Sequence, residues 1–419
     1  MSREPGRGFS RRQLLFGGAA AAGAGAATVL GAQAVGGALA VGGAPDAAVA
    51  GEAERAARLA LETAVGEATV PFHGARQAGI ETPPQACTRF LALDLLPEVD
   101  AAALRRMLRV LSDDAARITQ GRAPLADTEP ELAHMPARLT VTFGFGPGLV
   151  ERAGGTAPEW LRPLPAFGID RLRPEWSGGD LLLHLCADDP VTVAHAARML
   201  LKDARSFASV RWTQQGFRRA AGAEASGQTM RNLFGQLDGT VNPKPGTADF
   251  DELVWATGEP AWLGGGTSLV LRRIAMDLDG WDRVDRPGRE AAVGRKLASG
   301  APLTGEREHD EPDFEALTPV GFPLIADFSH LRRSRSEVQG ERIFRRGYNY
   351  DESPADGSVS DAGLLFASYQ ADVDRQFVPI QRRLDELDLL NEWTTPIGSA
   401  VFAIPPGCAE GGYIGDMLV

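Results

Sequence analysis

Cysteine is scarce. The 419-residue chain has three, Cys87, Cys186 and Cys408, far apart and in no C-x-x-C pair. A zinc ribbon, a thioredoxin-type redox site and a C-x-x-C-H attachment site all need paired cysteines, so none has its signature here, and at most one disulfide could form. Histidine is equally thin: His73, His134, His184, His195, His309 and His330 show no i, i+4 pair and no H-E-x-x-H. That removes sequence support for a multi-histidine metal site. There is no basic excess either. The formal charge of −12 argues against nucleic acid as a partner, because such binders carry a basic stripe.

A strongly apolar run is also missing. The stretch from Leu14 to Pro45 is uncharged, but it is mostly Ala and Gly, too weakly hydrophobic for a stable membrane anchor. It follows Arg3, Arg7 and Ser10-Arg11-Arg12-Gln13-Leu14-Leu15, and Ala32-Gln33-Ala34 supplies small residues for cleavage. This is the layout of a twin-arginine export signal. The expected location is therefore the periplasm, cell envelope or outside, with no membrane span after cleavage. Twin-arginine export moves folded proteins, often with a cofactor bound. The remaining composition, 44% apolar and 23% charged, is that of a soluble globular protein with room for two domains of roughly 150–200 residues each.

After an Ala-rich lead-in, Ala47 to Glu67, the chain passes twice through a β-α-β-β-α-β pattern. The first pass reads as a strand Phe90–Leu96 and an amphipathic helix Ala101–Gln120 with Leu104, Met107, Leu108 and Leu111 on one face. Strands at Leu139–Gly144 and Leu181–Ala187, a helix Val191–Phe207 and a strand Val210–Phe217 complete it. The second pass runs from a strand Ser268–Leu278 through a mixed, partly helical Trp281–Leu297. Strands Arg342–Tyr350 and Leu364–Tyr369 follow, then a helix Val373–Asn391 and a strand Ala400–Ile404. Two such units predict an α+β fold of duplicated ferredoxin-like halves with antiparallel sheets, akin to the dimeric α+β barrels. The expected divisions are residues 1–46 for the signal and processing region, 47–225 for one half and 226–419 for the other. Ala220 to Trp262 has little periodicity and reads as a functional connection; Arg283 to Pro323 is a charged insertion.

Three segments could carry chemistry. In Asn232-Leu233-Phe234-Gly235-Gln236-Leu237-Asp238-Gly239-Thr240-Val241-Asn242-Pro243 the D-G-T and N-P steps are turn signals, and apolar neighbours would place the Asp238 carboxylate in a partly dry site. His330, in Asp327-Phe328-Ser329-His330-Leu331-Arg332, has no histidine partner, a pattern compatible with a lone axial ligand. In Phe344-Arg345-Arg346-Gly347-Tyr348-Asn349-Tyr350, strand alternation sends Arg345 and Arg346 to opposite faces, so one can enter a pocket while the other cannot.

These segments, in that order and at those separations, resemble the signature of the dye-decolourising peroxidase family, closest to its exported, deferrochelatase/peroxidase-like branch. The resemblance continues through Gln77-Ala78-Gly79-Ile80, Trp262-Leu263-Gly264-Gly265-Gly266-Thr267 and Gly398-Ser399-Ala400-Val401-Phe402, covering essentially residues 70–419. Arg76 departs from it, standing where relatives often have His. The resemblance implies non-covalent haem b, one per chain, bound in the C-terminal half. It implies His330 as the proximal iron ligand, Asp238 as the distal acid/base and Arg345 as the distal arginine, with Arg346 the other candidate. Gly239 and Thr240 would border the cofactor. Asp372 is expected either to accept the His330 Nδ1 hydrogen bond or to cap the helix before Val373.

The activity implied is reduction of hydrogen peroxide, with dyes, phenols or other small organic molecules as reductants. Iron release from haem, with an iron-uptake system as partner, uses the same pocket. A haem carrier would need neither Asp238 nor Arg345, and a duplicated binding module would bind no haem. A homo-oligomer is compatible with every one of these readings.

Overall fold

A computed structural model describes residues 64–225, 227–354 and 357–419. The twin-arginine motif, the cleavage site and most of the Ala47–Glu67 lead-in lie outside the described residues. No helix among the described residues is long and apolar enough to cross a membrane.

The first pass forms β1 (Cys87–Leu95), α1 (Ala101–Ile118), β2 (Thr140–Phe145), β3 (Leu181–Ala187), α2 (Pro190–Ala204) and β4 (Ala208–Phe217). Both long helices start where an aspartate can cap them. Asp100 Oδ1 accepts from the Ala103 amide at 2.7 Å, and Asp189 Oδ2 from that of Thr192 at 2.8 Å with Pro190 in the first turn, satisfying donors the helix cannot pair itself. Leu104, Met107, Leu108 and Leu111 of α1 are fully buried in one core with Leu91, Leu93, Leu183 and Leu185 of the strands. Each such side chain contributes about 1.5–3 kcal/mol, so this half is held by its filled outer face.

The second pass forms β5 (Thr267–Met276), α3 (His330–Ser334), β6 (Phe344–Arg345), β7 (Tyr348–Glu352), β8 (Asp361–Gln370), α4 (Val378–Leu387) and β9 (Thr394–Ile404). Each half has ferredoxin-like strand order, β2-β3-β1-β4 and β9-β5-β8-β7, with β6 also on β8. Antiparallel bridges join the halves at Phe145–Ala403 and Phe217–Asn349. The result is a closed barrel that leaves few free strand edges. Its interior is packed by alternate residues of the strands, among them Phe90, Leu182, Trp212, Leu269, Tyr348, Tyr369 and Phe402.

Two expected elements are broken, each for a local reason. The strand expected over Arg342–Tyr350 is two short strands, because the Gly347 carbonyl accepts from Arg218 Nε at 2.8 Å rather than continuing the ladder. The helix expected over Val373–Asn391 is three pieces: a wide helical turn Val373–Phe377, then α4, then a tight turn Leu389–Glu392. Pro379 has no amide to offer the preceding turn. Asp388 leaves helical geometry (φ −69°, ψ 120°) and caps the next turn through Oδ1, 3.0 Å from the Leu390 amide.

The halves differ on their outer faces. In the first, α1 and α2 lie directly on the sheet. In the second, the outward residues Ile274, Leu364 and Phe366 line a cavity together with Phe377, Ile380 and Leu384.

Candidate active site

The cavity opens to solvent, and its lining is mostly apolar with a few convergent polar groups. That is the usual make-up of a small-molecule or cofactor site. Its polar lining includes His330 and Asp388 from the α3/α4 side, and Asp238, Thr240 and Arg345 from the connection and β6.

His330 opens α3, and its Nδ1 donates to Asp388 Oδ2 at 2.6 Å. This carboxylate is almost wholly buried and is aimed at the ring by the helix break described above. Burial pushes the imidazole pKa down, but the charge of Asp388 and the hydrogen bond to it outweigh this, leaving the pKa above the ordinary histidine value. With Nδ1 engaged, Nε2 is the ring nitrogen left to serve the cavity.

Asp238 and Arg345 form an ion pair, Oδ1 to Nη1 3.1 Å, both partly buried. Alternation along β6 separates the two arginines as expected. Arg345 lines the cavity, whereas Arg346 is fully buried on the barrel side and donates to the Thr82 carbonyl and to Gln85 Oε1. The Asp238 loop is held to β6 by Asn242, whose Nδ2 donates to the Arg345 carbonyl at 2.7 Å and whose Oδ1 accepts from the Arg345 amide at 3.0 Å. The charged insertion braces the same loop: Glu308 Oε1 accepts from Thr240 Oγ1 at 2.9 Å and from Thr229 Oγ1 at 2.5 Å.

Thr240 lines the cavity as expected, while Gly239 does not; its φ of +120° makes it the pivot of the turn that presents Asp238. Arg76 lies away from the cavity, over the Trp255 ring and paired with Asp251. Of the two roles expected for Asp372, the structure shows the cap and not the bond to His330. Asp372 Oδ1 caps the turn before Arg375, 3.0 Å from that amide, and Asp388 holds the histidine. Period counting hid Asp388 as one more polar position of a long helix. The cue was Asp388-Leu389-Leu390-Asn391 following α4, a fresh cap before a second turn. Asn242 stood inside the quoted motif, but no sequence pattern says that its amide meets Arg345. All three cysteines are free.

Known proteins match the chain in both halves. Residues 77–218 match the family described as "Dyp-type peroxidase, N-terminal" and residues 229–409 that described as "Dyp-type peroxidase, C-terminal". The chain is 39% identical to the dye-decolorizing peroxidase of Thermobifida fusca, over 99% of this chain and 98% of that protein. It is 35% identical to the deferrochelatase of Escherichia coli K12, over 83% and 87% respectively. A crystal structure of a DyP-type peroxidase from Cellulomonas bogoriensis, 56% identical, superposes with a TM-score of 0.82 over 84% of this chain and 99% of that one. Ferric DtpA from Streptomyces lividans, 40% identical, does so with a TM-score of 0.82 over 85% and 98%. With both halves matched in order and the barrel, the cavity and its two charged pairs in place, this chain belongs to the Dyp-type peroxidase family.

Proposed function

We propose that the chain is a haem peroxidase in which His330 holds the iron, Asp238 moves the peroxide proton and Arg345 favours departure of the second oxygen. The observation that carries this is the pairing of charges in one apolar cavity: Asp238 with Arg345, and His330 with Asp388. The donor set fits haem. Among the described residues no cluster of three or more metal-ligating side chains could hold an ion alone, and the cavity offers one imidazole nitrogen amid apolar walls. That suits a metal whose other ligands come with it.

Haem supplies the redox-active iron at which peroxide is reduced and from which a reductant is later oxidised. The protein's part is positioning and protons. Asp388, by accepting the Nδ1–H hydrogen bond, fixes the His330 tautomer and makes the ring more electron-donating. Asp238 takes the proton from the near oxygen of the peroxide and delivers it to the departing one, a task for a single carboxylate within hydrogen-bond reach. The Arg345 guanidinium keeps its charge throughout and stabilises the negative charge that develops on the leaving oxygen. A carrier would need no such ion pair in its cavity, which favours the peroxidase reading. Dyes, phenols and other small organic reductants are the donors that this activity implies.

The test is to load the chain with haem, add one equivalent of hydrogen peroxide and follow the spectrum. His330→Ala should lose or displace the Soret band. Asp238→Ala should bind haem but respond about 10²–10⁴ times more slowly. An Asp238→Ala variant as fast as wild type would refute the assignment. A haem-bound chain that yields free iron and intact porphyrin instead would favour the activity named in its deferrochelatase relatives.

Export is part of the same proposal and is supported by Arg11-Arg12 and the uncharged Ala/Gly run after them. Replacing both arginines with lysine should trap the protein in the cytoplasm, as read by fractionation.

A further inference from the structure

On the barrel side of the strands that carry Arg345 lies a polar cluster the peroxide chemistry does not use. His184 and Cys186, two apart on β3, both point inward and are almost fully buried. His184 Nε2 lies 2.9 Å from Thr88 Oγ1 and 3.1 Å from Cys186 Sγ, and its Nδ1 lies 3.2 Å from the Tyr369 hydroxyl. Its ring stacks on Phe90 at 4.0 Å, which holds both nitrogens in register with their partners. The Tyr348 hydroxyl is 3.5 Å from Cys186 Sγ, and the Arg218 guanidinium sits over the Tyr348 ring at 4.9 Å. Burial pushes the Cys186 thiol up, yet the nearby charges of His184 and Arg346 and the hydrogen bonds from His184 and Thr88 bring its pKa down to about 6. A barrel interior is ordinarily filled with apolar side chains, and polar groups there cost free energy unless paired. Here a thiol, an imidazole and two phenols are joined into one chain.

The register of the sheet places this cluster one backbone layer behind the cavity wall. In β8, Leu364 and Phe366 line the cavity, while Leu365, Ala367 and Tyr369 belong to the barrel core. β6 pairs Arg345 with Ser368 and Phe344 with Tyr369. Tyr369 thus pairs with Phe344, whose two sequence neighbours, Ile343 and Arg345, both line the cavity.

We propose that Tyr369, with His184 as proton acceptor and Cys186 as terminal donor, is an internal one-electron donor that quenches the oxidised cavity when no external reductant is present. This rests on the peroxidase reading, which supplies the oxidant. In the first step one electron leaves the Tyr369 phenol for the oxidised centre, which is reduced by one equivalent. The phenol proton crosses the existing hydrogen bond to His184 Nδ1, with the Nε2 proton directed at Cys186 and Thr88. A neutral phenoxyl radical and an imidazolium result. In the second step Cys186, ionised against the fixed charge of Arg346 and not that of His184, gives one electron to the phenoxyl, and His184 returns the proton to the phenol oxygen. Tyr369 and His184 are restored, and the oxidising equivalent rests on sulfur as a thiyl radical. One peroxide leaves two oxidising equivalents, and one passage through this cluster removes one of them.

The test is freeze-quench electron paramagnetic resonance of the full haem-loaded chain after one equivalent of hydrogen peroxide, with no reductant. The chain has four tyrosines, so ring-deuterated tyrosine identifies a tyrosyl signal without any substitution. Tyr369→Phe should abolish that signal, and Tyr350→Phe should leave it. Cys186→Ser should lengthen its life, and mass spectrometry of wild type should find Cys186 oxidised only when reductant is withheld. His184→Gln keeps Tyr369 but removes its proton acceptor, and should slow the rise of the signal about a hundredfold. That variant carries the test if Tyr369→Phe does not fold. A haem spectrum that responds to peroxide with no tyrosyl signal, or an unchanged signal in folded Tyr369→Phe, overturns the proposal. A haem spectrum that does not respond at all refutes the peroxidase reading, a separate failure that removes the oxidant and the relay with it.

Discussion

The Asn242 side chain grips the backbone of Arg345 from both sides, donating to its carbonyl at 2.7 Å and accepting from its amide at 3.0 Å. It does the work of a neighbouring strand at the point where β6 runs out, and it ties the Asp238 loop to the arginine that loop must meet. Two hydrogen bonds of this kind contribute about 1–3 kcal/mol. Asn242→Ala should therefore slow the response to peroxide about 10- to 100-fold while haem affinity stays near wild type. Stopped-flow mixing with peroxide, alongside a haem titration, measures both. Equal losses in the two would mean that Asn242 supports the fold and not the ion pair.

Asp388 and Asp372 make a contrasting pair. Asp388→Asn keeps the shape but removes the negative charge beside His330, and should weaken haem binding or activity about 10–100-fold, the usual cost of losing a carboxylate behind a metal-bound imidazole. The potential of the haem couple should rise with it. Asp372→Ala removes only a cap, which costs about 1 kcal/mol of stability and should leave that potential unmoved. Redox titration of the two variants separates the roles.

Gly239 sits at φ +120°, and an added Cβ would come 3.4 Å from Asn242 Nδ2. The space is tolerable, but the backbone conformation is not one a side chain accepts readily. Gly239→Ala should cost about 1–3 kcal/mol of local strain and misplace Asp238. Its mark would be slower peroxide reduction with little change in global melting, because the loop can rearrange without the barrel.

Far from the cavity, Asp114 of α1 faces Asp203 of α2, and both carboxyls are pushed above their ordinary range. Burial, then the hydrogen bond to Asp203 and the charges of Asp203 and Asp113, push Asp114 up to about 7 against the pull of Arg117; Asp203 is raised as well. A carboxyl whose folded pKa lies above its unfolded value of ~3.9 holds its proton more tightly when folded. Stability from this pair is complete at low pH and falls as pH rises from about 4 to about 7. Allowing for solvent screening of a half-buried pair, the loss is roughly 1–2 kcal/mol. Asp114→Asn should recover it above pH 7 and flatten that part of the profile in urea melts at pH 5 and pH 8.

Local chemistry makes much of this molecule legible in the sequence. The leucine face of α1, the aspartate caps and the alternating strands are short-range signals, and the two passes through one pattern settle the fold class. The motifs around Asp238, His330 and Arg345 carried the family, and alternation put Arg345 and Arg346 on opposite faces; which of the two lines the cavity was decided by the tertiary structure. The closure of the two halves into one barrel depends on single bridges between strands more than a hundred residues apart, Phe145–Ala403 and Phe217–Asn349, which no local pattern encodes. The choice of Asp388 over Asp372 was likewise tertiary. Both are capping aspartates in the same stretch of chain, and only the break after α4 turns one of them toward His330. The Tyr369–His184–Cys186 cluster joins β8 to β3 across the barrel. Side chains distant in sequence become partners only when the sheet curls round to place them face to face.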